Sequence, residues 1–431
     1  MKEDVIQMPS NGRQSREWPT EDCSRIPNWV YSDPDNYQRE LERIFYGPFW
    51  TFVGLECEVP NPGDWKMAVI GEREVLLTRS KDGSLHVLLN SCAHRAAQVC
   101  AGKFGHAKTL VCPYHQWAYD MSGQLIGVPF RRGMKGKGGF PEDFDPKQHG
   151  MRRLKVDTLN GAVYASFDER TLPLKDYYGP ELYARMTRVL DGRPLKVLGY
   201  QRQRVRGNWK LYPENLRDAY HATLLHVFLI SFGLYRIDQK GELLEDERTL
   251  AHHVTSSRAN DRRDVEGTEQ LRSLKPDFEL NDMRVVDTVK EFADDVTIQN
   301  ISIFPALTMQ QQQNLLQFRN IIPRGPNEFE ISWTYFGYAD DSEEMTQRRL
   351  RLANLTGAAG FISVDDTEVF EMSGNGMRPN GDRQCVVELG GREPGSPKEF
   401  GNMVSEGPIR SYYAFYRQVM YGDMASGSQD A

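Results

Sequence analysis

Short apolar runs separated by turn residues dominate the chain between residues 50 and 170. The runs WKMAVIG, EVLLTRS, LHVLLN and GAVYASF alternate with glycine, proline, asparagine and aspartate, a pattern typical of strands and turns. Asp82 and Gly83 lie between two of these runs, which favours a hairpin at that point. The pattern therefore predicts a small all-β domain in this part of the chain.

Helical spacing of apolar positions is found on both sides of this region. Tyr37, Leu41 and Ile44 follow such a spacing and predict a short amphipathic helix within residues 35–46. Further helical stretches are predicted at 206–230 and 341–356, and long strands at 296–309, 312–322 and 328–338. Strands that follow one another without intervening helices favour an antiparallel sheet, so the second half of the chain predicts an α+β domain.

The length and composition of the chain indicate a globular protein of two domains. Its 431 residues exceed what one hydrophobic core usually supports, and 39% of them are hydrophobic. No apolar run approaches the roughly 18 residues of a membrane span, and the polar N-terminus lacks the pattern of a signal peptide, so we expect a cytoplasmic protein without a membrane partner. A net charge of -7 argues against nucleic acid and favours small molecules and proteins as partners.

Two cysteine–histidine pairs provide the first candidate site. Cys92 and His94 are followed after 17 residues by Cys112 and His115. A zinc finger normally supplies both cysteines before both histidines, so this interleaved order is unusual for zinc. If the two segments are facing loops at hairpin tips, they can offer two thiolates and two imidazoles to a [2Fe-2S] cluster of Rieske type. The alternatives are a structural zinc site or unconnected core residues.

The segment ENLRDAYHATLLH, residues 214–226, provides the second candidate site. On a regular helix Asp218 and His221 share a face, whereas His221 and His226 are about 140° apart. A π-bulge or a kink could bring both histidines to one metal ion. Asp365 or Asp366 would then complete the two-histidine, one-carboxylate set that holds non-heme iron(II). The alternative is a pair of polar contacts within a helix, and His252 and His253, beside charged residues, are predicted on the surface.

Taken together, these motifs resemble the large (α) subunit of the Rieske non-heme iron aromatic ring-hydroxylating oxygenases. The resemblance also includes SRIPNWVY, NWKLYP and GGREPGS and extends over nearly the whole chain. It implies an all-β Rieske domain placed before a catalytic domain of helix-grip (START-like) type with an antiparallel sheet. The implied boundaries are an N-terminal segment at 1–46 that packs on the catalytic domain, a Rieske domain at 47–168 and a catalytic domain at 169–431.

The same resemblance assigns roles to individual residues. The cluster ligands would be Cys92, His94, Cys112 and His115, and the ligands of the mononuclear iron would be His221, His226 and Asp366. Asp218 matches an aspartate that links His221 to a Rieske histidine, expected to be His115, of a neighbouring subunit. Asn215 matches an asparagine close to the iron. The link between subunits implies a head-to-tail trimer.

The resemblance further implies partners for the reaction. Electrons from NADH would arrive through a reductase or ferredoxin, and a small β subunit would complete an α3β3 assembly if the enzyme is not a simple α3 trimer. No glycine-rich dinucleotide turn follows a strand, so NADH itself is not expected to bind. The glycine-rich loop RRGMKGKGG, residues 131–139, predicts a solvated turn, with the docking of a partner as the alternative.

Arg319 is the candidate for substrate recognition. It lies among apolar neighbours in MQQQQNLLQFRNIIP, residues 309–323, and its position resembles that of an arginine that holds a carboxylate in a family member acting on terephthalate. The sequence thus favours an aromatic monocarboxylate, salicylate- or anthranilate-like, together with O2. The alternatives are an aromatic dicarboxylate, a structural role for Arg319, or a Rieske electron-transfer protein without oxygenase activity. Ring monohydroxylation and dihydroxylation remain open.

Overall fold

A computed structural model describes residues 17–235, 241–258, 271–395 and 403–422. The strands are β1 (Arg25–Pro27), β2 (Thr51–Leu55), β3 (Asp64–Ile70), β4 (Arg73–Arg79), β5 (Leu85–Leu89), β6 (Phe104–His106), β7 (Leu110–Val111), β8 (Ala118–Tyr119), β9 (Leu125–Gly127), β10 (Arg153–Leu159), β11 (Ala162–Ser166), β12 (Leu195–Val205), β13 (Gly241–Glu245), β14 (His253–Arg258), β15 (Val296–Ile303), β16 (Leu307–Gln312), β17 (Leu315–Pro323), β18 (Phe329–Tyr338) and β19 (Gln384–Val386). The helices are α1 (Trp29–Ser32), α2 (Pro34–Glu40), α3 (Leu174–Val189), α4 (Leu211–Asn215), α5 (Ala219–Leu225), α6 (Val227–Ser231), α7 (Glu343–Thr356), α8 (Ser363–Met377) and α9 (Gly407–Tyr421), and α2 continues into a π-helical turn at Leu41–Phe45.

A seven-stranded antiparallel sheet and a three-stranded sheet make up the β region. The order of the larger sheet is β2-β11-β10-β5-β4-β3-β6, and that of the smaller is β7-β8-β9. Successive residues of β4 alternate between two cores, since Val75 and Leu77 pack in one hydrophobic cluster and Leu76 packs in the other. The cluster that contains Leu76 also contains Cys92 and Cys112. The larger sheet therefore supports the loops that carry both cysteines.

The second large sheet is also antiparallel, as the sequence predicted. Its seven strands have the order β12-β18-β17-β16-β15-β14-β13. The apolar run at 296–309 was predicted as one strand but forms β15 and β16, which are separated by a turn at Phe304–Ala306. Pro305 lies in this turn and has no backbone N–H to donate to a ladder, which ends the strand. The predicted α+β fold class with two antiparallel sheets is confirmed.

Buried polar contacts fasten the N-terminal segment to the second half of the chain. Glu40 and Lys210 form a fully buried ion pair at 2.6 Å, and the Trp209 indole N–H donates to the other Glu40 oxygen at 2.7 Å. Breaking such a pair typically costs about 3–5 kcal/mol because one charge is left buried alone. Lys210 directly precedes α4, so these contacts fix the start of the segment that leads to His221. The predicted boundaries at residues 47 and 169 stay predictions, and residues 1–16 of the N-terminal segment lie outside the described residues.

His252 and His253 are buried, so their predicted surface position was wrong. Their exposed fractions are 2% and 0%. The charged residues Glu247 and Arg248, which suggested a surface, lie in the exposed turn before β14, and the chain enters the sheet immediately afterwards. Among the described residues, no helix combines the length and the apolar character that crossing a membrane requires.

Candidate metal centres

Two loops with the same backbone pattern present the four predicted cluster ligands. In each loop the cysteine carbonyl accepts a hydrogen bond from the N–H four residues later, Ala96 after Cys92 at 2.9 Å and Gln116 after Cys112 at 3.0 Å. Each cysteine N–H also donates to the carbonyl five residues later at 2.9 Å. Ala96 and Gln116 both adopt left-handed backbone, with φ of 56° and 57°. The two loops are therefore near copies in backbone structure.

The side chains of these loops offer a suitable donor set for a cluster. Cys92 and Cys112 are 3% and 1% exposed, and the rings of His94 and His115 lie 4.5 Å apart between centroids. The His94 Nδ1 atom is buried and has no hydrogen-bond partner among the described residues. Burial, His115 and Arg95 lower the pKa of His94, which favours the neutral imidazole that a metal requires. Two free thiols and two imidazoles, one with an unpartnered ring nitrogen, fit a Rieske cluster.

Aromatic residues enclose this donor set. The Trp117 ring stacks on the His94 imidazole with centroids 4.7 Å apart and planes inclined by 4°. The Tyr119 hydroxyl lies 3.1 Å from the Cys92 Sγ atom and accepts a hydrogen bond from the Ala93 N–H at 3.2 Å. These contacts orient one histidine and one cysteine of the donor set.

A break in the helix resolves the spacing problem at the second site. Helix α5 ends at Leu225, α6 begins at Val227, and His226 between them has a non-helical backbone with φ -86° and ψ 91°. The stretch at 206–230, predicted as helical, therefore consists of three short helices. The sequence analysis left open a π-bulge or a kink between the two histidines, and the structure has a kink. It turns His226 toward the side on which His221 lies, and the two rings are 5.4 Å apart between centroids.

Asp366 completes a group of three potential metal ligands with the two histidines. Its Oδ1 atom lies 3.5 Å from His221 Nε2 and 3.2 Å from His226 Nε2. One ligand atom from each of the three residues lies within 4.8 Å of the others. Asp366 is placed by the first turn of α8, whereas the histidines come from the segment around α5. This two-histidine, one-carboxylate set fits a non-heme iron(II) ion.

Each imidazole has a second carboxylate at its other nitrogen. Asp218 Oδ2 lies 3.3 Å from His221 Nδ1, and Asp365 Oδ2 lies 3.3 Å from His226 Nδ1. Asp218 also caps α5, because its Oδ1 accepts from the N–H groups of Tyr220 at 2.9 Å and His221 at 3.3 Å. The role of Asp365 beside His226 was missed by sequence reasoning, although the adjacent pair of aspartates carried the signal. Both Nε2 atoms are thereby directed toward Asp366.

Asn215 lies beside the group of three. Its Nδ2 atom is 3.0 Å from His221 Nε2 and donates to Asp366 Oδ1 at 3.0 Å. Asn215 is the last residue of α4, three residues before Asp218. The structure thus brings together the predicted residues Asn215, Asp218, His221, His226 and Asp366, and their roles stay predictions.

The carboxylates control the protonation of the two histidines. Burial opposes a positive charge on His221, but Asp218 and Asp366 outweigh it and raise its pKa to about 10. Burial also acts against a charge on His226, yet Asp366 and Asp365 raise its pKa. Both imidazoles therefore tend to hold a proton that a metal ion must displace.

Arg319 lines the same cavity as the group of three. It is 4% exposed, and its guanidinium donates to the Tyr212 hydroxyl at 2.8 Å and to the Gln310 side-chain oxygen. Within the described residues it has no ion pair, and its Nε atom has no hydrogen-bond partner. Residues from several elements line this cavity: Asn215, His221, His226, Leu229, Thr255, Ile298, Asn300, Gln310, Gln312, Arg319, Ile362 and Asp366. Among the described residues its two hydrogen-bond partners are neutral, and no acidic side chain is paired with it.

Comparisons with known proteins give matches over most of the chain. A family model described as the Rieske [2Fe-2S] domain matches residues 49–136, and a second, described as ring hydroxylating alpha subunit (catalytic domain), matches residues 185–422. Salicylate 5-hydroxylase, large oxygenase component, from Ralstonia sp is 46% identical and is aligned over 94% of this chain and 97% of its own length. Anthranilate 1,2-dioxygenase large subunit from Burkholderia cepacia is 42% identical over 94% and 95% of the two chains.

More distant relatives agree with these matches. Terephthalate 1,2-dioxygenase, terminal oxygenase component subunit alpha 2, from Comamonas sp is 37% identical over 98% of this chain and 100% of its own. Among solved structures, naphthalene 1,2-dioxygenase from Rhodococcus sp. bound to indole superimposes with a TM-score of 0.76, covering 93% of this chain and 95% of that one at 23% identity. At that identity the structural match supports the fold alone.

We expect metal binding at His221, His226 and Asp366 to release protons. Because the pKa of His221 is raised to about 10, its proton is present at pH 7 and must leave before Nε2 can bind a metal. The affinity of chelator-treated protein for Co(II) should therefore rise by about tenfold per pH unit between pH 6 and 9 for each proton displaced. Titrations with Co(II) at several pH values measure the affinity. Calorimetry in buffers of different ionisation enthalpy measures the number of protons released.

Asp218→Asn is the matched control for this titration. It removes the negative charge beside His221 Nδ1 and lowers the pKa of His221, so the increase in affinity should level off at a lower pH. An affinity that does not change with pH in the unsubstituted protein would contradict the expected coupling.

Proposed function

Because this chain belongs to the family of ring-hydroxylating oxygenase α subunits, we propose that it hydroxylates the ring of an aromatic monocarboxylate such as salicylate or anthranilate. The family combines a Rieske [2Fe-2S] cluster with a mononuclear iron, and relatives include both monooxygenases and dioxygenases by name. The observation that carries the substrate assignment is the presence of Arg319 in the cavity of His221, His226 and Asp366.

The residues around the cavity perform distinct tasks in this proposal. When bound, iron supplies the reductive activation of O2, and the cluster supplies electrons one at a time. Asp218 and Asp365 orient the two imidazoles through their Nδ1 atoms. The apolar side chains of Leu229, Ile298 and Ile362 offer contacts to an aromatic ring.

The guanidinium of Arg319 is suited to hold the carboxylate of the substrate. A charge-assisted hydrogen bond of this kind is typically worth about 1.5–3 kcal/mol, enough to favour an acid over a neutral arene. Arg319 is the only lysine or arginine among the described residues that line the cavity. One carboxylate therefore fits the cavity better than two.

Exposed apolar residues support a head-to-tail trimer. Tyr114, next to His115, is 59% exposed on the cluster loops. Tyr220 and Leu224, on the helix that begins after Asp218, are 43% and 46% exposed. In the proposed assembly the cluster loops of one subunit cover α5 of the next, so that Asp218 contacts His115 of the neighbouring subunit. We also propose a small β subunit that completes an α3β3 assembly, because the resemblance to this family implies one.

The basic surface near the cluster is suited to an acidic electron donor. Seven basic residues and one acidic residue lie between Cys92 and Lys137, although the whole chain carries a net charge of -7. In the loop 131–139 the N–H groups of Met134 and Lys137 each donate to the carbonyl of the other, which leaves Lys135 exposed at the tip. We propose that a ferredoxin or reductase docks here, since opposite charges accelerate and orient association.

Metal and product analysis tests the proposed oxygenase. The anaerobically purified holoenzyme should contain about three irons and two acid-labile sulfides per chain, because one cluster and one further iron are expected. With ¹⁸O2, a reductase and NADH, it should place label into salicylate, anthranilate or benzoate. One labelled atom indicates monohydroxylation and two indicate dihydroxylation. About two irons per chain and no product would instead indicate an electron carrier.

Replacement of Arg319 tests carboxylate recognition. Arg319→Gln should weaken the binding of benzoate by about 10- to 100-fold, the loss expected for one charge-assisted contact, and should leave benzamide nearly unaffected. Dissociation constants measured without oxygen give the comparison.

The control for this variant is Arg349→Gln, which removes a buried arginine paired with Glu291 and Asp341 away from the cavity. It should lower the thermal stability without changing the preference for benzoate over benzamide. If Arg319→Gln leaves that preference unchanged, the carboxylate is held elsewhere.

Complementation between subunits tests the role of Asp218. Asp218→Ala should retain both metals and lose product formation by at least 10- to 100-fold, the usual effect of removing a group that orients a metal ligand. Cys92→Ser should disrupt the cluster of its own chain. In a head-to-tail trimer a co-expressed mixture of the two variants regains activity, because an intact cluster in one subunit faces an intact Asp218 in the next. Activity that remains absent from such mixed assemblies would contradict transfer between subunits.

A further inference from the structure

The cavity that contains His221, His226 and Asp366, here called the metal cavity, has one polar wall. Neighbouring strands of the second large sheet form this wall. Register pairs Thr255 on β14 with Asn300 on β15, and Asn300 with Gln310 on β16. Two residues further along the same face, Ile298 is paired with Gln312. Side chains at alternate positions of a strand project to one face. Thr255, Asn300, Gln310 and Gln312 consequently line the same cavity.

A directed chain of hydrogen bonds crosses this wall from Arg319. The Arg319 guanidinium donates to the Gln310 side-chain oxygen, and Gln310 Nε2 donates to Asn300 Oδ1 at 2.5 Å. Because the Asn300 oxygen faces Gln310, the NH2 group of Asn300 is the end that can donate to a ligand. The charge on Arg319 polarises this chain and strengthens the last donor.

Near Asn300, where this series of hydrogen bonds ends, two buried polar atoms have no partner among the described residues. Thr255 and Gln312 are 7% and 4% exposed. Within the part of the chain that the structure describes, Thr255 Oγ1 and Gln312 Nε2 make no hydrogen bond. Buried polar groups are normally satisfied, and those that are not need a ligand or water. Both atoms line the metal cavity, where a substrate would reach them.

We propose that Thr255, Asn300 and Gln312 form a specificity subsite for a hydroxyl group on the aromatic ring. This inference rests on the proposed function, which places a substrate carboxylate at Arg319. The side-chain N–H groups of Asn300 and Gln312 donate and need an acceptor, whereas the Thr255 hydroxyl can donate or accept. A phenolic hydroxyl provides both roles, while a ring amino group is a poor acceptor and a methyl group provides neither.

The same chemistry distinguishes a hydroxyl group from a second carboxylate. Arg319 is the only lysine or arginine among the described cavity residues, and its side chain already faces the Gln310 end of the wall. A carboxylate at Thr255 would be buried without a cation, which is strongly unfavourable. The subsite therefore selects a neutral hydrogen-bonding substituent and makes the substrate a hydroxylated aromatic acid.

Binding measurements on the anaerobic holoenzyme test this subsite. The probes are benzoate, the three hydroxybenzoates and the three methylbenzoates. At least one hydroxybenzoate should bind roughly 10-fold more tightly than benzoate and than its methyl counterpart, because only the hydroxyl group satisfies the buried partners. The isomer with the largest gain reports the ring position that reaches Thr255.

Isosteric variants assign the gain to named atoms. Thr255→Val and Gln312→Met should each remove most of the preference for that hydroxybenzoate and leave the affinity for benzoate within about twofold. Thr255→Ser should retain the preference because it keeps the hydroxyl group. Thr334→Val, a buried threonine on β18 that lines a different cavity, is the matched control and should change neither affinity.

The results separate this inference from the proposed function. If no hydroxybenzoate is favoured, or if the preference survives in both Thr255→Val and Gln312→Met, the subsite is refuted. If benzoate does not bind, the carboxylate assignment at Arg319 fails instead. In that case phenol compared with toluene still measures the subsite, and a preference for phenol that Thr255→Val removes supports it.

Discussion

The placement of two imidazoles around the Oδ1 atom of Asp366 is the constraint on which the second half of the chain depends. An unbroken helix would direct His221 and His226 to different sides. The non-helical backbone at His226 ends one helix and begins another. This interruption loses regular helical hydrogen bonds but allows both histidines to face Asp366. The cap formed by Asp218 supports the start of the first of these helices. Asp218 thus stabilises the local fold and also contacts the imidazole of His221, the candidate ligand that follows it.

Buried polar contacts outside the cavity hold this arrangement in place. Glu40 and Lys210 connect the N-terminal segment to the residue before α4. Glu214, near the end of α4, is half-buried, and desolvation raises its pKa to about 7 although hydrogen bonds from Tyr413 and Tyr31 oppose the rise. Helices from both ends of the chain therefore contact the segment that carries Asn215. The two candidate ligand histidines lie five residues apart in sequence, whereas Asp366 and the supporting contacts come from distant parts of the chain.

The two cysteine–histidine pairs could be recognised from the sequence because these residue types are rare and their spacing limits the kinds of site that they can form. The pairs Cys92 with His94 and Cys112 with His115 indicated a Rieske cluster, and the family and the class of cofactors are confirmed. The burial of His252 was not predicted, since it depends on where the chain enters the sheet, whereas the strand break was missed although Pro305 carried its signal. The partners of Arg319 depend on register across β16 and β17, which local patterns do not contain.

The contact between Tyr119 and Cys92 has a consequence for electron flow. A hydrogen bond to a cysteine sulfur stabilises the reduced form of an iron–sulfur cluster and raises its potential. Burial, and then the nearby Cys92, raise the pKa of Tyr119 above its ordinary value, so the phenol stays protonated throughout the physiological range. With Cys92 as a thiolate ligand of the cluster, this hydroxyl group would donate to the sulfur at every physiological pH and would keep its effect on the reduction potential constant.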